Sequence, residues 1–249
     1  DRRYRKYHCQ QKQYFRHFAA IHMNTDKFLV KEGSKLDLKK HSTDFTGDYT
    51  DKKEAAKDLA KNVERLRELQ DVLYAQDVHS LLIIFQAMDA AGKDSTIEHV
   101  FSGINPQGCH VVGFKQPSAE ELAHDFLWRC QKALPERGKI GIFNRSHYED
   151  VLVVKVHPEY LGAQNLPTSP DKDKQFWNKR YEQIRNWESM LAQNGTQIIK
   201  LFLNVSQEEQ KARFIARIDE PAKNWKFSMG DVKERALWGD YMKAYTEAL

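Results

Sequence analysis

The stretch of residues 80–104 constrains the fold more than any other part of the chain. Its beginning, Ser80–Gln86, is a short apolar run typical of a strand buried on both faces of a sheet. Residues 94–104 are predicted to form a helix, and a loop with Gly92 and Lys93 lies between the two. In such a unit, backbone N–H groups and the positive end of the helix face an anion. The sequence therefore predicts a phosphate-binding loop.

This loop departs from the pattern G-x-x-x-x-G-K-[ST] at two positions. Ala87 replaces the leading glycine, and Asp94 replaces the hydroxyl residue that usually holds Mg²⁺. Asp89 and Asp94 would repel a phosphate unless a metal or a proton intervenes, so we expect carboxylate to hold Mg²⁺ here. For Asp94 a helix N-cap is the alternative. For Asp89 we expect a role as a Mg²⁺ ligand.

Strand and helix patterns alternate along the rest of the chain. Helices are predicted over residues 50–76, from a capping box at Ser118 to about residue 134, over 174–193 and from a capping box at Ser206; strands are predicted over 110–114, 139–143 and 196–203. This alternation predicts an α/β fold with a parallel sheet that helices cover on both faces. Such sheets bind ligands at the carboxyl ends of their strands.

Charged residues follow the second and third predicted strands. Lys115 follows the second, and Arg145 and Glu149 follow the third. At the same edge as Lys93, the planar guanidinium of Arg145 would clamp phosphate oxygens, and Glu149 would serve a metal or a substrate. A surface ion pair is the alternative for Arg145, and capping or pairing in the following helix is the alternative for Glu149. His147 is expected to be a packing or hydrogen-bonding residue.

Basic residues cluster over residues 2–16 and again over 211–235. Arg213 and Arg217 are one helical turn apart and share a face, and further lysines follow the break at Pro221. In a kinase, this second cluster would be a lid that closes over phosphates. A long polyanion is a candidate partner, and a solvated basic surface is the alternative.

Composition limits the other possibilities. The chain has 249 residues, 41% of them hydrophobic and 30% charged, which fits one main domain. Its longest apolar run, residues 81–85, is too short to span a bilayer, and its arginine-rich start lacks the apolar stretch of a signal peptide. We therefore expect a cytoplasmic protein that does not bind membranes. The cysteines match neither a metal-ligand pattern nor an even disulfide set.

Five stretches together resemble the second family of polyphosphate kinases, in the subgroup called class III. They are MDAAGKD, INPQGCHVVGFKQPS, HDFLWR, FNRSHYEDV and RIDEPAKNWKFSMGDVKER. The resemblance extends from about Thr50 to the end of the chain. It implies a P-loop kinase-like catalytic domain over residues 50–249, with a helical lid at about 206–235, after a basic extension over residues 1–49.

The resemblance also implies a reaction. Inorganic polyphosphate would donate a phosphoryl group to AMP and ADP, forming ADP and ATP with Mg²⁺ as cofactor. Asp89 and Glu149 would hold the metal, Lys93 would bind the phosphoryl group in flight, and Arg145 would neutralise its charge. The other implied phosphate-binding residues are Ala90, Ala91, Gly92, Asp94, Arg217, Lys223 and Lys226. The implied nucleotide-binding residues are Lys115, Pro117, Asp125, Arg129, Asn144 and Ser146. A homo-oligomer, either a dimer or a tetramer, is also expected.

One position departs from the family pattern. Related sequences usually read Trp-Asp-Asp-Tyr where this chain has Trp238, Gly239, Asp240 and Tyr241. One carboxylate near the lid is therefore absent.

Two other classes of function compete with the polyphosphate-dependent kinase. An ATP-dependent nucleoside monophosphate kinase fits the predicted fold, but the loop lacks the hydroxyl and the leading glycine of such enzymes. A non-catalytic binder of polyanions or nucleic acid fits the basic clusters, but it does not explain Asp89 and Glu149 in a phosphate site. We expect no nucleic-acid partner.

Overall fold

The computed structural model describes residues 25–31, 33–167 and 174–249. Within them, parallel strands form a sheet in the order β2-β3-β1-β4. The strands are β1 (Ser80–Gln86), β2 (Cys109–Gly113), β3 (Ile140–Asn144) and β4 (Thr196–Phe202). Because the strands are parallel, their carboxyl ends lie at one edge of the sheet, and the loops that follow them meet there. The predicted parallel sheet is confirmed.

Helices flank this sheet, as the alternating sequence pattern predicts. They are α1 (Lys52–Gln76), α2 (Lys93–Phe101), α3 (Ala119–Leu122), α4 (Trp128–Lys132), α5 (Val153–Val156), α6 (Lys174–Gln193), α7 (Gln207–Asp219), α8 (Met229–Ala236) and α9 (Trp238–Ala248). Three 3₁₀ turns near the site are His147–Val151, Pro158–Gln164 and Pro221–Lys226. We call residues 207–236, from α7 through the last of these turns to α8, the lid segment.

The core lies on both faces of the sheet. On one face, Leu82 and Ile84 of β1 belong to the same apolar cluster as Trp187 of α6. On the other face, Ile83 and Phe85 share a cluster with Ile97 of α2. Alternate β1 side chains therefore point into different apolar layers, which explains why this strand is a nearly continuous apolar run. Burial on both faces fixes the position of the loop that follows β1.

Two local predictions are wrong. The helix predicted from Ser118 to about residue 134 is two short helices, α3 and α4. Asp125 separates them, because its side chain accepts a hydrogen bond from the Leu127 backbone N–H over 2.9 Å and so competes with a continuous helix. Asp94 is not an N-cap. Gly92 holds that position, and Asp94 lies in the first turn of α2.

Some sequence predictions fall outside the residues that the structure describes. The first basic cluster and Cys9 lie there, and so does most of the predicted N-terminal extension. Cys109 and Cys130 are free thiols. Among the described residues, none of the helices is both long and apolar enough to cross a bilayer.

Candidate active site

The loop between β1 and α2 has an unusual backbone. Ala90 has a φ of 59° and Gly92 a φ of 98°, both in the left-handed region. Gly92 enters this region without steric cost, whereas Ala90 is strained there by roughly 1–2 kcal/mol. Such strain persists only where surrounding contacts hold the backbone in place.

Side chains hold every carbonyl group from residue 87 to residue 90. Nζ of Lys93 donates to the carbonyl oxygens of Ala87 (2.8 Å) and Met88 (3.2 Å). The next two carbonyls accept from the lid segment: Nε2 of Gln210 donates to that of Asp89 over 2.9 Å, and the Arg213 guanidinium donates to that of Ala90 over 3.1 Å. With its carbonyl groups engaged in these bonds, the loop presents few acceptors that would repel an anion.

Lys93 lies within the loop with only 8% of its surface exposed. Burial, reinforced by the nearby charge of Arg145, lowers its pKa to about 8. Its bonds to loop carbonyls use two of the three N–H groups of the ammonium. An incoming phosphate would give this cation a stronger partner.

Arg145 links the two carboxylates that the sequence assigns to a metal. Its guanidinium donates to Oδ1 of Asp89 and, over 3.1 Å, to Oε2 of Glu149. The charges of Glu149 and Asp89 raise the Arg145 pKa above its ordinary value despite burial, so the guanidinium stays cationic. The Arg145 backbone has a φ of 67°, in the left-handed region. The alternative prediction of an ion pair for Arg145 therefore describes its contacts here, at a half-buried position inside the cavity and not at the open surface.

The second oxygen of Glu149 also has a partner. With its amide oxygen facing Ser146, Gln86 donates to Oε1 of Glu149 over 2.9 Å and accepts from Oγ and the backbone N–H of Ser146. This orientation satisfies all of these groups, whereas the opposite one places acceptor against acceptor. Both oxygens of Glu149 are thus held by the protein.

The carboxylates of Asp89 and Glu149, which both bond Arg145, suit a site for Mg²⁺. This ion is usually bound through one or two carboxylates and takes its other ligands from water and substrate phosphates. A carboxylate has about four acceptor positions, so Asp89 and Glu149 each keep capacity beyond their present bonds. In the described ranges no group of three or more His, Cys, Asp or Glu side chains could hold a metal by itself. A bound ion would therefore need water or phosphate oxygens to complete its shell.

A cavity of about 990 Å³ opens at this edge of the sheet. It brings together the predicted residues of the loop, of both strand ends and of the lid segment. All of the predicted site residues except Asp125 line it. Asp125 lies outside the lining, in the turn between α3 and α4. The cavity is large enough for a nucleotide together with part of a second phosphorylated ligand.

The predicted nucleotide-binding residues form one wall of this cavity. The Arg129 guanidinium donates to the Lys115 carbonyl over 2.8 Å and lies 4.9 Å from the centre of the Phe114 ring. Asn144 donates to Oδ1 of Asp94 over 2.6 Å, which ties the end of β3 to the start of α2. These contacts hold the Arg129 guanidinium against the Phe114 ring and anchor the Lys115 backbone at the cavity wall.

The lid segment lines the same cavity and supplies more cations. The Arg217 guanidinium donates to Asp231 over 3.0 Å and to the Lys226 carbonyl over 3.1 Å. Lys223 pairs with Glu220 over 2.5 Å at an exposed position. Phosphates that reach Arg217 must therefore compete with an internal carboxylate.

Two residues that the sequence did not predict are Asp150, which lines the cavity, and Gln210, which contacts the phosphate loop from behind the lining. Asp150 is deeply placed, burial raises its pKa to about 6, and Gln164 donates to its Oδ1 over 2.7 Å. Its position directly after Glu149 in a polar run was a usable signal. No feature of the sequence indicated a role for Gln210, because its contact with the loop joins residues 121 positions apart.

A parallel sheet with a phosphate loop after β1 and a basic helical segment that lines the same cavity defines a P-loop kinase-like protein. The polyphosphate kinase 2 family model matches residues 49–249. The chain belongs to the polyphosphate kinase 2 family.

Individual relatives agree with this family. The chain is 56% identical to an ADP-polyphosphate phosphotransferase of Rhodopseudomonas palustris over 227 residues, which are 91% of this chain and 78% of the relative. It is 46% identical to an AMP/ADP-polyphosphate phosphotransferase of Meiothermus ruber over 224 residues, which are 90% of this chain and 79% of the relative. The crystal structure of polyphosphate kinase 2 from Arthrobacter aurescens superposes with a TM-score of 0.81 at 41% identity, covering 93% of this chain and 80% of that one.

Proposed function

We propose that the protein is a polyphosphate-dependent nucleotide kinase that transfers a phosphoryl group from inorganic polyphosphate to AMP and ADP. The observation that carries this proposal is the position of the lid cations. Arg217, Lys223 and Lys226 line the same cavity as Lys93 and Arg145. A nucleotide on the wall of Lys115 and Arg129 leaves these lid cations for a second, longer anion. Polyphosphate meets that requirement with one negative charge or more on every unit.

The site residues divide the work of phosphoryl transfer. An oxygen of the acceptor's terminal phosphate forms a bond to the terminal phosphorus of polyphosphate, and the anhydride bond to the next phosphate breaks. Lys93 leaves its two carbonyl partners and binds the phosphoryl group, while Arg145 neutralises charge on the same group. Positioning and charge neutralisation are the main demands of this reaction, and no protein nucleophile is needed.

We also propose that the metal is Mg²⁺ and that Asp89 and Glu149 hold it. Nucleotide phosphotransferases of this family generally need a divalent metal. When bound, Mg²⁺ would supply positive charge that offsets the charge on the phosphate oxygens. Arg145 orients both carboxylates, because each of them bonds one side of its guanidinium.

The acceptor range rests on Glu149. One relative is named for ADP alone and another for AMP and ADP, so the family name does not fix the acceptor. The resemblance implies that in related classes restricted to nucleoside diphosphates, whose motif resembles F-D-R-S-W-Y-N, a neutral Asn would occupy the place of Glu149. Besides the Mg²⁺ that it would share with Asp89, Glu149 would bind a second Mg²⁺ or its water and so help to position AMP, which is shorter than ADP.

Replacing Glu149 tests this assignment. We expect Glu149→Asn to lower kcat/KM for AMP more than kcat/KM for ADP, and Glu149→Gln serves as the control that keeps the side-chain length without the charge. If Glu149 only orients Arg145 through their 3.1 Å bond, both acceptors lose equally. An unchanged AMP to ADP ratio therefore contradicts a role in selecting the acceptor.

A single assay tests the function as a whole. Protein, Mg²⁺ and AMP are mixed with either polyphosphate or ATP, and ADP and ATP are measured over time. We expect formation of ADP and then ATP with polyphosphate as donor. Activity with ATP alone would support a nucleoside monophosphate kinase in its place, and no transfer from either donor would support a binder.

The cellular setting stays a prediction from the sequence. We expect a cytoplasmic homo-oligomer, a dimer or a tetramer, that binds neither membranes nor nucleic acid. The division into an extension over residues 1–49 and a catalytic domain over residues 50–249 is likewise a prediction. Light scattering coupled to size-exclusion chromatography measures the number of subunits directly.

A further inference from the structure

Gln210 is a fully buried polar side chain in α7, the first helix of the lid segment. Its Nε2 donates to the Asp89 carbonyl in the phosphate loop over 2.9 Å. Its Oε1 accepts from the Arg235 guanidinium over 3.0 Å. Arg235 lies near the end of α8, so one amide joins both helices of the lid segment to the phosphate loop.

The chemistry of the two partners sets the orientation of this amide. Arginine can only donate hydrogen bonds, and a carbonyl oxygen can only accept them. Arg235 therefore requires Oε1 on its own side, which leaves the amide N–H groups for the Asp89 carbonyl. The same Arg235 nitrogen also donates to the Gln207 carbonyl over 2.6 Å, so the guanidinium is itself anchored on α7.

A rotation of the Asp89 carbonyl group would disturb the neighbouring parts of the loop. The side chain of the same residue pairs with Arg145, and the next residue is Ala90, whose backbone is strained. If the peptide group after Asp89 rotated, its carbonyl oxygen could turn toward the bound phosphates and the Asp89 carboxylate would shift. A displacement of about 1 Å at a reacting centre is enough to slow a reaction about 100-fold.

We propose that Gln210 is a positioning residue that holds the phosphate loop in its active geometry only while Arg235 keeps the amide correctly oriented. A movement of α8 would therefore change the geometry of the phosphate loop through the Gln210 side chain. The proposal rests on the proposed function, because it assigns Gln210 to the same phosphoryl transfer.

The structure offers a matched control elsewhere. Gln70 of α1 is also buried, with 2% of its surface exposed, and its amide also bonds in both directions. Its Nε2 donates to the Asn105 carbonyl over 2.7 Å, and its Oε1 accepts from the Asn105 N–H over 2.9 Å. Neither glutamine lines the cavity, but the Gln70 amide bonds Asn105 whereas the Gln210 amide bonds the phosphate loop. A variant at Gln70 therefore reports the cost of losing a buried amide without a link to the loop.

The experiment compares Gln210→Leu with Gln70→Leu in the full chain. Unfolding by urea gives the stability of each variant, and steady-state kinetics gives kcat and KM for donor and nucleotide. We expect Gln210→Leu to lower kcat by about 10- to 100-fold with a smaller change in either KM. Gln70→Leu is expected to lose comparable stability and to keep kcat within about twofold of the wild type, because its amide bonds Asn105 and not the phosphate loop. Equal losses of kcat in the two variants would overturn the proposal.

Two further variants test the link itself. Gln210→Glu keeps the bond to Arg235 but places a carboxylate oxygen against the Asp89 carbonyl, so we expect it to be at least as slow as Gln210→Leu. Arg235→Met leaves the amide free to turn and should lower kcat in the same direction, which keeps the test available if Gln210→Leu does not fold. Additive effects in the double variant Gln210→Leu with Arg235→Met would contradict a shared path.

All variants are assayed with the donor that the wild-type protein uses. A wild-type protein that uses ATP in place of polyphosphate would overturn the proposed function and would leave the comparison between Gln210 and Gln70 intact.

Discussion

The phosphate loop and the lid segment both supply cations to the cavity, but they hold them in different ways. Lys93 of the loop is buried and donates to two backbone carbonyls. Arg217 and Lys223 of the lid segment pair with the side-chain carboxylates of Asp231 and Glu220. Backbone partners inside a core cannot move away, whereas a carboxylate on a partly exposed helix can.

The phosphate loop is also more extensively bonded and less exposed than the turn of the lid segment. Every carbonyl from residue 87 to residue 90 has a side-chain donor. In the lid segment, Trp225 is 79% exposed in the turn between α7 and α8. Two of the donors to these carbonyls, Gln210 and Arg213, come from α7 of the lid segment, so the part that a long anion can rearrange is the exposed turn between α7 and α8 and not α7 itself. Replacing the charged residues of the loop should stop the chemistry, while replacing the lid cations Arg217 and Lys226 should weaken binding of the donor.

The largest effect is expected from the loop itself. Lys93→Ala and Asp89→Asn should each lower kcat by at least about 100-fold, because each removes charge compensation at the transferring phosphoryl. Circular dichroism and urea unfolding should show a folded protein in both cases. Substantial turnover by either folded variant would mean that the chemistry does not occur at this loop.

The pKa of Lys93 predicts a large effect of pH on the same region. Burial lowers this pKa from 10.5 to about 8 in the free protein, and phosphate binding needs the charged form. Log kcat/KM should therefore fall above about pH 8, since kcat/KM reports groups of the free enzyme. An arginine stays charged, so the residual activity of Lys93→Arg should lack this alkaline fall. A fall at the same pH in that variant would assign it to another group.

The same shift has the opposite effect on stability. Between about pH 8 and pH 10.5 the unfolded chain binds a proton at Lys93 that the folded chain has lost. The free energy of unfolding therefore gains a contribution that rises with pH across this window and is absent below it. Urea unfolding of the wild type and of Lys93→Met at pH 7.5 and pH 10 isolates the contribution, because the variant lacks the titrating group.

A moderate effect is expected from the lid segment. Replacing Arg217 and Lys226 with Ala should raise KM for polyphosphate by roughly tenfold, equivalent to about 1.4 kcal/mol, and should change KM for ADP less. The dependence of KM for polyphosphate on salt should also weaken, because fewer counterions are displaced. Equal changes for both substrates would indicate that the lid segment only gates closure.

The smallest effect is expected just beyond the lid segment. Gly239 lies in the first turn of α9, and a Cβ added there meets no atom within 4 Å. Gly239→Asp should raise the free energy of unfolding by about 0.5–1 kcal/mol, because aspartate is a better helix residue than glycine and favours a helix N-terminus. Kinetic constants should stay within about twofold of the wild type. A large gain in activity would show instead that the missing carboxylate acts in the reaction.

Much of the fold follows from local pattern. The bounds of β1 and α6 match the prediction, and the other strands lie within a residue of theirs. Apolar periodicity and turn residues act over a few positions, so a single sequence carries this information. The sequence also determined where the site lies, because the carboxyl ends of parallel strands must meet at one edge and the charged residues follow those ends.

Only the tertiary structure decided what holds the site in place. Arg145 joins Asp89 to Glu149, and Gln210 reaches the Asp89 carbonyl from the lid segment, 121 positions away. The break between α3 and α4 also depended on one competing side-chain bond, that of Asp125. Such contacts depend on how distant elements pack and on which donors remain free near a buried acceptor, and neither leaves a periodic trace along the chain.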